Sequence, residues 1–309
     1  MIQERDFNML SYQRHENHFH DYARGGPKEA IGQSWLQDDT VDAWRHLRMY
    51  RVLDPVLEAN PQASWLTCGD GRYGKDANYI QKKGLRVLAT DISDVLLREA
   101  KESGYLHAYK QENAERLSFT DRSFDYVFCK ESLHHFPRPM LALYEMLRVS
   151  SKGVMLIEPT DRATPFGLLG MLIRPVWGVL TSMAGKKGSK DRFEESGNYL
   201  YGISRREMEK VALGMNFKTV AFKGINDHYL KGAEFEKVGD QSLLYRKIKH
   251  RIALFDLLYR LKIRDCTLLA AIIFKEPPQP RLRMTLEDGG YHILDLPANP
   301  YLVPEGIQD

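Results

Sequence analysis

The chain predicts a doubly wound α/β fold, a mostly parallel sheet with helices on both faces. Three observations carry this: short apolar runs alternate with helix-period segments from Ser64 onward, a glycine-rich loop joins the first run to the first helix, and the second run ends on an aspartate. At 309 residues the chain suits one large α/β domain with additions, or two domains.

The elements follow in order. SWLTCG is the first strand, and Lys75 to Lys83 follow as a short helix with Ala77 and Ile80 facing inward. GLRVLATD is the second strand, ending at Asp91. SDVLLREAKESG reads as a helix with Ser93 as N-cap and Gly104 at its end. A third strand spans roughly Tyr105 to Glu112, and SFDYVFCKE is the fourth, after the turn chemistry of DRS. The helix over PRPMLALYEMLRVSSKG has Pro139 in its first turn and Met140, Leu143, Tyr144 and Leu147 at helical spacing, and VMLIEP is the fifth strand.

The pattern then breaks. An apolar window, Pro165 to Ala184, and the charged AGKKGSKDRFEESGNY fill some forty residues where a sheet needs a short connection. Alternation resumes with a helix over SRREMEKVALGMNF, the strand KTVAFKG, a helical pair around Leu243 to Leu261 and the strand CTLLAAIIFKEP. The tail RLRMTLEDGGYHILDL reads as a hairpin turning at Asp288-Gly289-Gly290. Upstream, DTVDAWRHLRMYRVLDPVLEAN is helical, with Val41, Trp44, Leu47, Met49 and Leu53 as candidates to pack on the sheet. The expected organisation is an N-terminal helical cover (1–62), a nucleotide-binding core (63–160), an insertion (161–200), the remainder of the core (201–276) and a C-terminal extension (277–309).

Composition excludes several classes. Hydrophobic residues at 43 % and charged residues at 28 % describe an ordinary globular chain, and a net charge of +3 is too balanced for nucleic acid as the main partner. MIQERDFNML lacks the order of a secretory signal, and Cys68, Cys129 and Cys266 lack zinc or redox spacing; reduced core thiols and a cytoplasmic location are the expectation. The window 165–184 is interrupted by Arg174, Pro175 and glycines, which argues against a membrane span. It leaves an acceptor lid, a homodimer surface, peripheral membrane contact or buried helices kinked at Pro175 as alternatives.

The chemistry starts at Gly69, Gly71 and Gly74, a G-x-G-x-x-G loop that lets a ligand touch backbone N–H groups at a helix N-terminus. Asp91, ending the second strand about twenty residues on, is placed to accept from two ribose hydroxyls. Together they point to an adenosine-containing ligand, either a nicotinamide dinucleotide or S-adenosylmethionine (SAM).

Downstream residues separate the two. WLTCGDGRYG, LATDIS, NAERLSF (Asn113 to Phe119) and FDYVFCKESLHHF, in this order and spacing, resemble the class I SAM-dependent methyltransferases, within them the methyltransferase type 11 group that includes ubiquinone and menaquinone biosynthesis enzymes. The resemblance covers about Ser64 to Pro159 and implies a Rossmann-like seven-stranded sheet, SAM as cofactor and methyl transfer. Its implied cofactor contacts are Gly69, Asp70, Gly71, Tyr73, Asp91, Ile92, Asn113, Ala114, Glu115 and Lys130, with Tyr22 closing over the cofactor from upstream. Asn113 stands where the family has aspartate, and its carbonyl oxygen is placed to accept from the adenine amino group. Thr67 stands where the family has an acid; Asp70 or Asp76 is the candidate to take the ammonium group instead.

Methyl transfer is an in-line displacement, so the protein mainly aligns the acceptor about 3 Å from the methyl carbon in a dry pocket. A base is needed only when the acceptor must lose a proton. His134 and His135 are the candidates, with Glu131 and Glu158 at strand ends to orient the acceptor or to bind backbone amides. No metal is expected: His15, His18 and His20 do not share one helix face. The expected acceptor is a small molecule or glycan, methylated on oxygen. The alternatives are an NAD(P)-dependent oxidoreductase and a non-catalytic binding module on the same fold.

Overall fold

The computed structural model of the chain describes residues 4–161, 193–194 and 197–302. Eight strands form one sheet in the order β3-β2-β1-β4-β5-β7-β6-β8. Its parallel half comprises β1 (Ser64–Cys68), β2 (Arg86–Asp91), β3 (Tyr109–Gln111), β4 (Phe124–Lys130) and β5 (Ser150–Pro159). The chain order reverses between β1 and β4, so their carboxyl ends flank a crevice, the usual ligand position in such sheets. Beyond β5, β7 (Leu268–Phe274) runs antiparallel between β5 and β6 (Thr219–Ile225).

β8 (His292–Asp295) adds an antiparallel edge to β6, so the sheet has eight strands rather than seven. The tail is therefore not a hairpin. Its first half is a helix, Pro280–Asp288, with proline in the first turn, and Leu282 and Leu286 buried at i, i+4 spacing. Asp288-Gly289-Gly290 ends that helix, with Gly290 in the left-handed region at φ +80°. The third strand covers only Tyr109–Gln111, and the predicted helical pair is one helix, Leu243–Arg260. The apolar window 165–184 lies outside the described residues.

Strand alternation divides the core. Trp65, Tyr126, Phe128, Met155 and Ile157 face one side of the sheet, where Met49, Leu53, Val56 and Leu57 cover them. Leu66, Cys68, Val127, Val154 and Leu156 face the other, against Leu143, Met146, Leu147 and Met208. Each such fully buried side chain contributes about 1.5–3 kcal/mol of burial free energy, so both layers anchor the sheet. Cys68, Cys129 and Cys266 are free thiols in this interior; burial pushes Cys68 up to about 12.

In chain order the helices are α1 (Glu4–His18), α2 (Glu29–Ser34), α3 (Val41–Tyr50), α4 (Asp54–Ala59), α5 (Lys75–Lys82), α6 (Val95–Glu102), α7 (Pro139–Val149), α8 (Arg205–Gly214), α9 (Leu243–Arg260) and α10 (Pro280–Asp288). The Thr40 hydroxyl caps α3 by accepting from Ala43 N–H at 3.1 Å, and Ser204 with Glu207 forms a capping box on α8. Ser93 does not cap α6: its N–H turns back to Asp91 Oδ1 at 2.8 Å, and Asp94 stands at the cap position. Leu47 and Tyr144 are exposed rather than core residues, because the packed faces of α3 and α7 centre on Met49 and on Leu143 with Met146.

Candidate active site

The carboxyl ends of β1, β2, β3 and β4 open into a cavity of about 1040 Å³, roofed by α1, α2 and α3. The loop after β1 shapes its floor. Gly69 takes φ +74°, and a Cβ there would strike Ser132; a Cβ at Gly71 would strike the ring of Phe19. Both positions therefore demand glycine, for a close approach as much as for a turn.

Asp70 lines the cavity and has a second task besides. Its buried carboxylate accepts from Asp76 N–H at 3.0 Å and Ala77 N–H at 2.9 Å, the open N–H groups of α5, and from the Thr67 hydroxyl at 2.8 Å. Burial pushes its carboxyl up and neighbouring Asp76 adds to that; the two amides and Thr67 pull it back. Thr67 thus replaces the family's acid with a hydroxyl that binds the acid three residues on.

Asp91 lies where the resemblance needs it, buried and lining the cavity. Burial raises it to about 6, against backbone amides of Ser93, Gly71 and Ile92 that favour the charged form. Ile92, Asn113 and Ala114 also line the cavity. Asn113 Oδ1 accepts from Glu115 N–H at 2.9 Å, so its carbonyl builds the turn and has one lone pair left for a ligand. The Glu115 carboxylate is engaged by the Tyr12 hydroxyl at 2.6 Å and by the Arg138 backbone N–H and Nε, both at 2.7 Å. It locks α1 to the β3 and β4 loops rather than presenting a free acid.

Tyr22 reaches the cavity wall, stacked on Trp35 with ring centroids 4.8 Å apart. Tyr73 does not. Its φ of 58° turns the ring into the packing of Ala77, Leu96 and Leu97, with its hydroxyl 3.3 Å from Glu99, so it is a core residue. Gly71 contributes its backbone to the Asp91 carboxylate from outside the cavity lining.

The ends of β4 and β5 carry the titratable groups. Glu158 is fully buried and takes four donors: Ser132 N–H at 3.0 Å, Leu133 N–H at 2.9 Å and the Cys129 thiol at 3.8 Å on Oε1, and His134 Nδ1 at 2.6 Å on Oε2. Burial pushes the His134 imidazole down, but Glu158 outweighs it and the net shift is upward. With Nδ1 held, His134 Nε2 is the ring nitrogen left for a molecule in the cavity. The His135 ring lies tilted against that of His134 with centroids 4.0 Å apart, bonds Glu194 at 2.6 Å, and is shifted downward, chiefly by burial. His15 joins the same carboxylate at 3.3 Å. Among the described residues no group of three His, Cys, Asp or Glu side chains is disposed to hold a metal ion.

Glu131 sits in the left-handed region at φ 48°, an unfavourable conformation for a residue with a Cβ, fixed by its N–H donating to Ile157 O at 2.8 Å. Its carboxyl is raised by burial but lowered more by Lys130, Arg72 and Arg45, for a net downward shift. Lys130 lies 3.1 Å from His46 Nδ1, 3.4 Å from Glu131 and 3.7 Å from Asp76. Burial, then the Lys130 ammonium, hold His46 well below the usual imidazole range, so it is neutral and accepts from Lys130.

This second half of the wall was missed in the sequence. Asp42, Arg45 and His46 lie on the packed face of α3, and Arg45 pairs with Asp42 at 2.8 Å and with Asp227 across 182 residues. The legible signal was their i, i+3, i+4 spacing within a helix that also buries Met49 and Tyr50. Polar residues on such a stripe belong either to an error of register or to a site.

The residues fit an adenosine ligand: a buried carboxylate for ribose hydroxyls, a glycine floor without room for a Cβ, and the Asn113–Ala114 turn for the base. Among solved structures the chain is similar to a SAM-dependent methyltransferase from Methanosarcina mazei, at 18 % identity and TM-score 0.44 over 72 % of this chain and 98 % of that one. It is also similar to one from Archaeoglobus fulgidus, at 13 % identity and TM-score 0.46 over 75 % and 94 %. No curated protein matches the chain. Residues 66–157 match the family model described as "Methyltransferase domain". These residues are thus a class I SAM-dependent methyltransferase domain of the type 11 group, with SAM as its cofactor.

Proposed function

We propose that the chain methylates an oxygen of a small-molecule or glycan acceptor, with His134 taking the acceptor's proton. The observation that carries this reading is the 2.6 Å contact between His134 Nδ1 and the fully buried Glu158 carboxylate beside the cavity. A carboxylate bound to Nδ1–H fixes the tautomer in which Nε2 has the lone pair, as a base needs. It also favours the imidazolium that forms when the hydroxyl proton arrives.

Bound SAM supplies an electrophilic methyl carbon and a thioether leaving group. Asp91 would hold its ribose, and Gly69, Asp70 and Arg72, the residues of the glycine loop that line the cavity, would lie toward its amino-acid end. Lys130 and Glu131 flank the acceptor side, where a charged pair orients a polar molecule more readily than an apolar one. His134 Nε2 would take the proton that the acceptor hydroxyl loses as the methyl group passes from sulfur to oxygen.

The experiment is a transfer assay with methyl-labelled SAM over a panel of sugars, phenols and hydroxy acids, compared with matched amines. Label in a base-stable ether, lost in His134→Asn, is the expected result. Transfer to amines alone, or an undiminished rate in the variant, would refute the reading.

A further inference from the structure

Helix α9 (Leu243–Arg260) shows two unlike apolar faces. Tyr245, Ile248, Ile252 and Phe255 are buried, the first three packed with Val41 and Ala233. On the opposite side Leu243, Leu254 and Leu257 are exposed, together with Leu261 just past the helix end, at 66 %, 43 %, 52 % and 58 %. At about 100° per residue these four project within about 60° of one another, turned away from the packed stripe.

Cations flank that leucine stripe. Arg246 and Arg260 lie along one border and Lys247 and Arg251 along the other, all exposed. Lys249 adds a fifth cation and His250 sits within the stripe. Asp256, the one acid of the helix, faces the packed side, where Asn226 Nδ2 donates to it at 2.9 Å and Arg48 lies 3.9 Å away. Among the described residues no ion pair involves the five cations; Lys249 and Arg251 instead lie over the rings of Tyr245 and Phe255. No helix among the described residues is long and apolar enough to cross a membrane.

We infer that α9 is a docking surface for an anionic phospholipid bilayer, with the helix lying along the membrane plane. Leucines enter the boundary between headgroups and acyl chains, while the bordering Lys and Arg side chains reach up to lipid phosphates. Charge decides the occupant. A second copy docking this face on itself would oppose two sets of five cations across a two-fold axis, whereas an anionic surface complements all of them. The inference is independent of which acceptor the site methylates.

The test is co-sedimentation of the full chain with vesicles of phosphatidylcholine alone, or with roughly one-third phosphatidylserine. Binding to the second and not the first is expected. It should weaken steeply as salt rises from about 0.1 M to about 1 M and the Debye length falls from about 10 Å to about 3 Å. Lys247→Gln and Arg251→Gln should each lower partition about fivefold. Leu254→Ser with Leu257→Ser should lower it about tenfold or more. These side chains are exposed, so unchanged thermal unfolding and adenosylhomocysteine binding report that the variants are folded. No binding to anionic vesicles, or equal binding by the leucine variant, overturns the inference. A concentration-dependent dimer dissolved by the leucine variant overturns it in favour of a second copy.

Discussion

Replacing Glu158 by glutamine removes one charge and almost no volume, and the geometry dictates the result. Oε1 holds two backbone donors, Ser132 N–H and Leu133 N–H, so the amide oxygen of glutamine must stay on that side. Its NH2 then faces His134 Nδ1, which must accept. The imidazole is forced into the tautomer with its proton on Nε2, where it cannot act as a base toward the cavity. Loss of a positioned general base lowers turnover by about 10²–10⁴-fold. Exchanging a charged hydrogen bond for a neutral one costs about 1–3 kcal/mol of stability, so the variant remains folded.

Two assays read this out. One is turnover on the acceptor found in the label-transfer panel; the other, which needs no acceptor, is the titration of the His134 ring by NMR. Glu158 holds the folded-state imidazole above its ordinary value, a contribution to stability that is present at low pH and lost as pH rises through the raised value. The base is active in its neutral form, so activity falls as pH drops through the same point. In Glu158→Gln both the ring titration and the acid limb of the rate profile should move to lower pH. Turnover within about threefold of the parent and an unmoved His134 titration would refute the base assignment.

Three further outcomes follow from other contacts. Thr67→Asp would set a second carboxylate against the buried Asp70; it should destabilise the fold by about 2–4 kcal/mol at neutral pH, less in acid, and Asp70→Asn should relieve it, as measured by denaturant unfolding. Arg45→Met takes the arginine from the buried Asp42 and the largely buried Asp227, a loss of about 3–5 kcal/mol that Asp227→Asn should partly restore; a loss under about 1 kcal/mol would contradict the pairing. Since burial raises Asp91 to about 6 and ribose hydroxyls prefer its charged form, adenosylhomocysteine affinity should fall by up to about tenfold per pH unit below that value, and calorimetry on Asp91→Asn should show no such slope.

The parallel half of the fold was legible because its signals are local: apolar runs of strand length, the Gly69–Gly74 loop and an aspartate at the end of β2. The tail was misread because Leu282, Met284 and Leu286 alternate as a strand would. Only packing reveals that Leu282 and Leu286 are buried one helical turn apart while Met284 stays 65 % exposed. Tyr73 was drawn to the site by its place in the glycine loop, but its positive φ turns the ring into the core. The roof of the cavity was out of reach for another reason. Contacts such as Tyr12 with Glu115 and Arg45 with Asp227 join positions 103 and 182 residues apart, and neither partner carries a local pattern that names the other. Asp70 illustrates the same limit on a small scale: the sequence offered it as a ligand contact, and only the fold reveals that its carboxylate also caps α5 and holds the Thr67 hydroxyl.

Above all, the cavity at the carboxyl end of β1 and β2 is expected to bind the SAM adenosine through Asp91. Isothermal titration of the full chain with adenosylhomocysteine tests it most directly, with NAD as the competing ligand and Asp91→Ala as the control. Saturable one-to-one binding of adenosylhomocysteine is expected, with no heat from NAD and affinity at least about tenfold weaker in the variant, since two charge-assisted hydrogen bonds are lost. Binding of NAD in its place, or full affinity in Asp91→Ala, would contradict it.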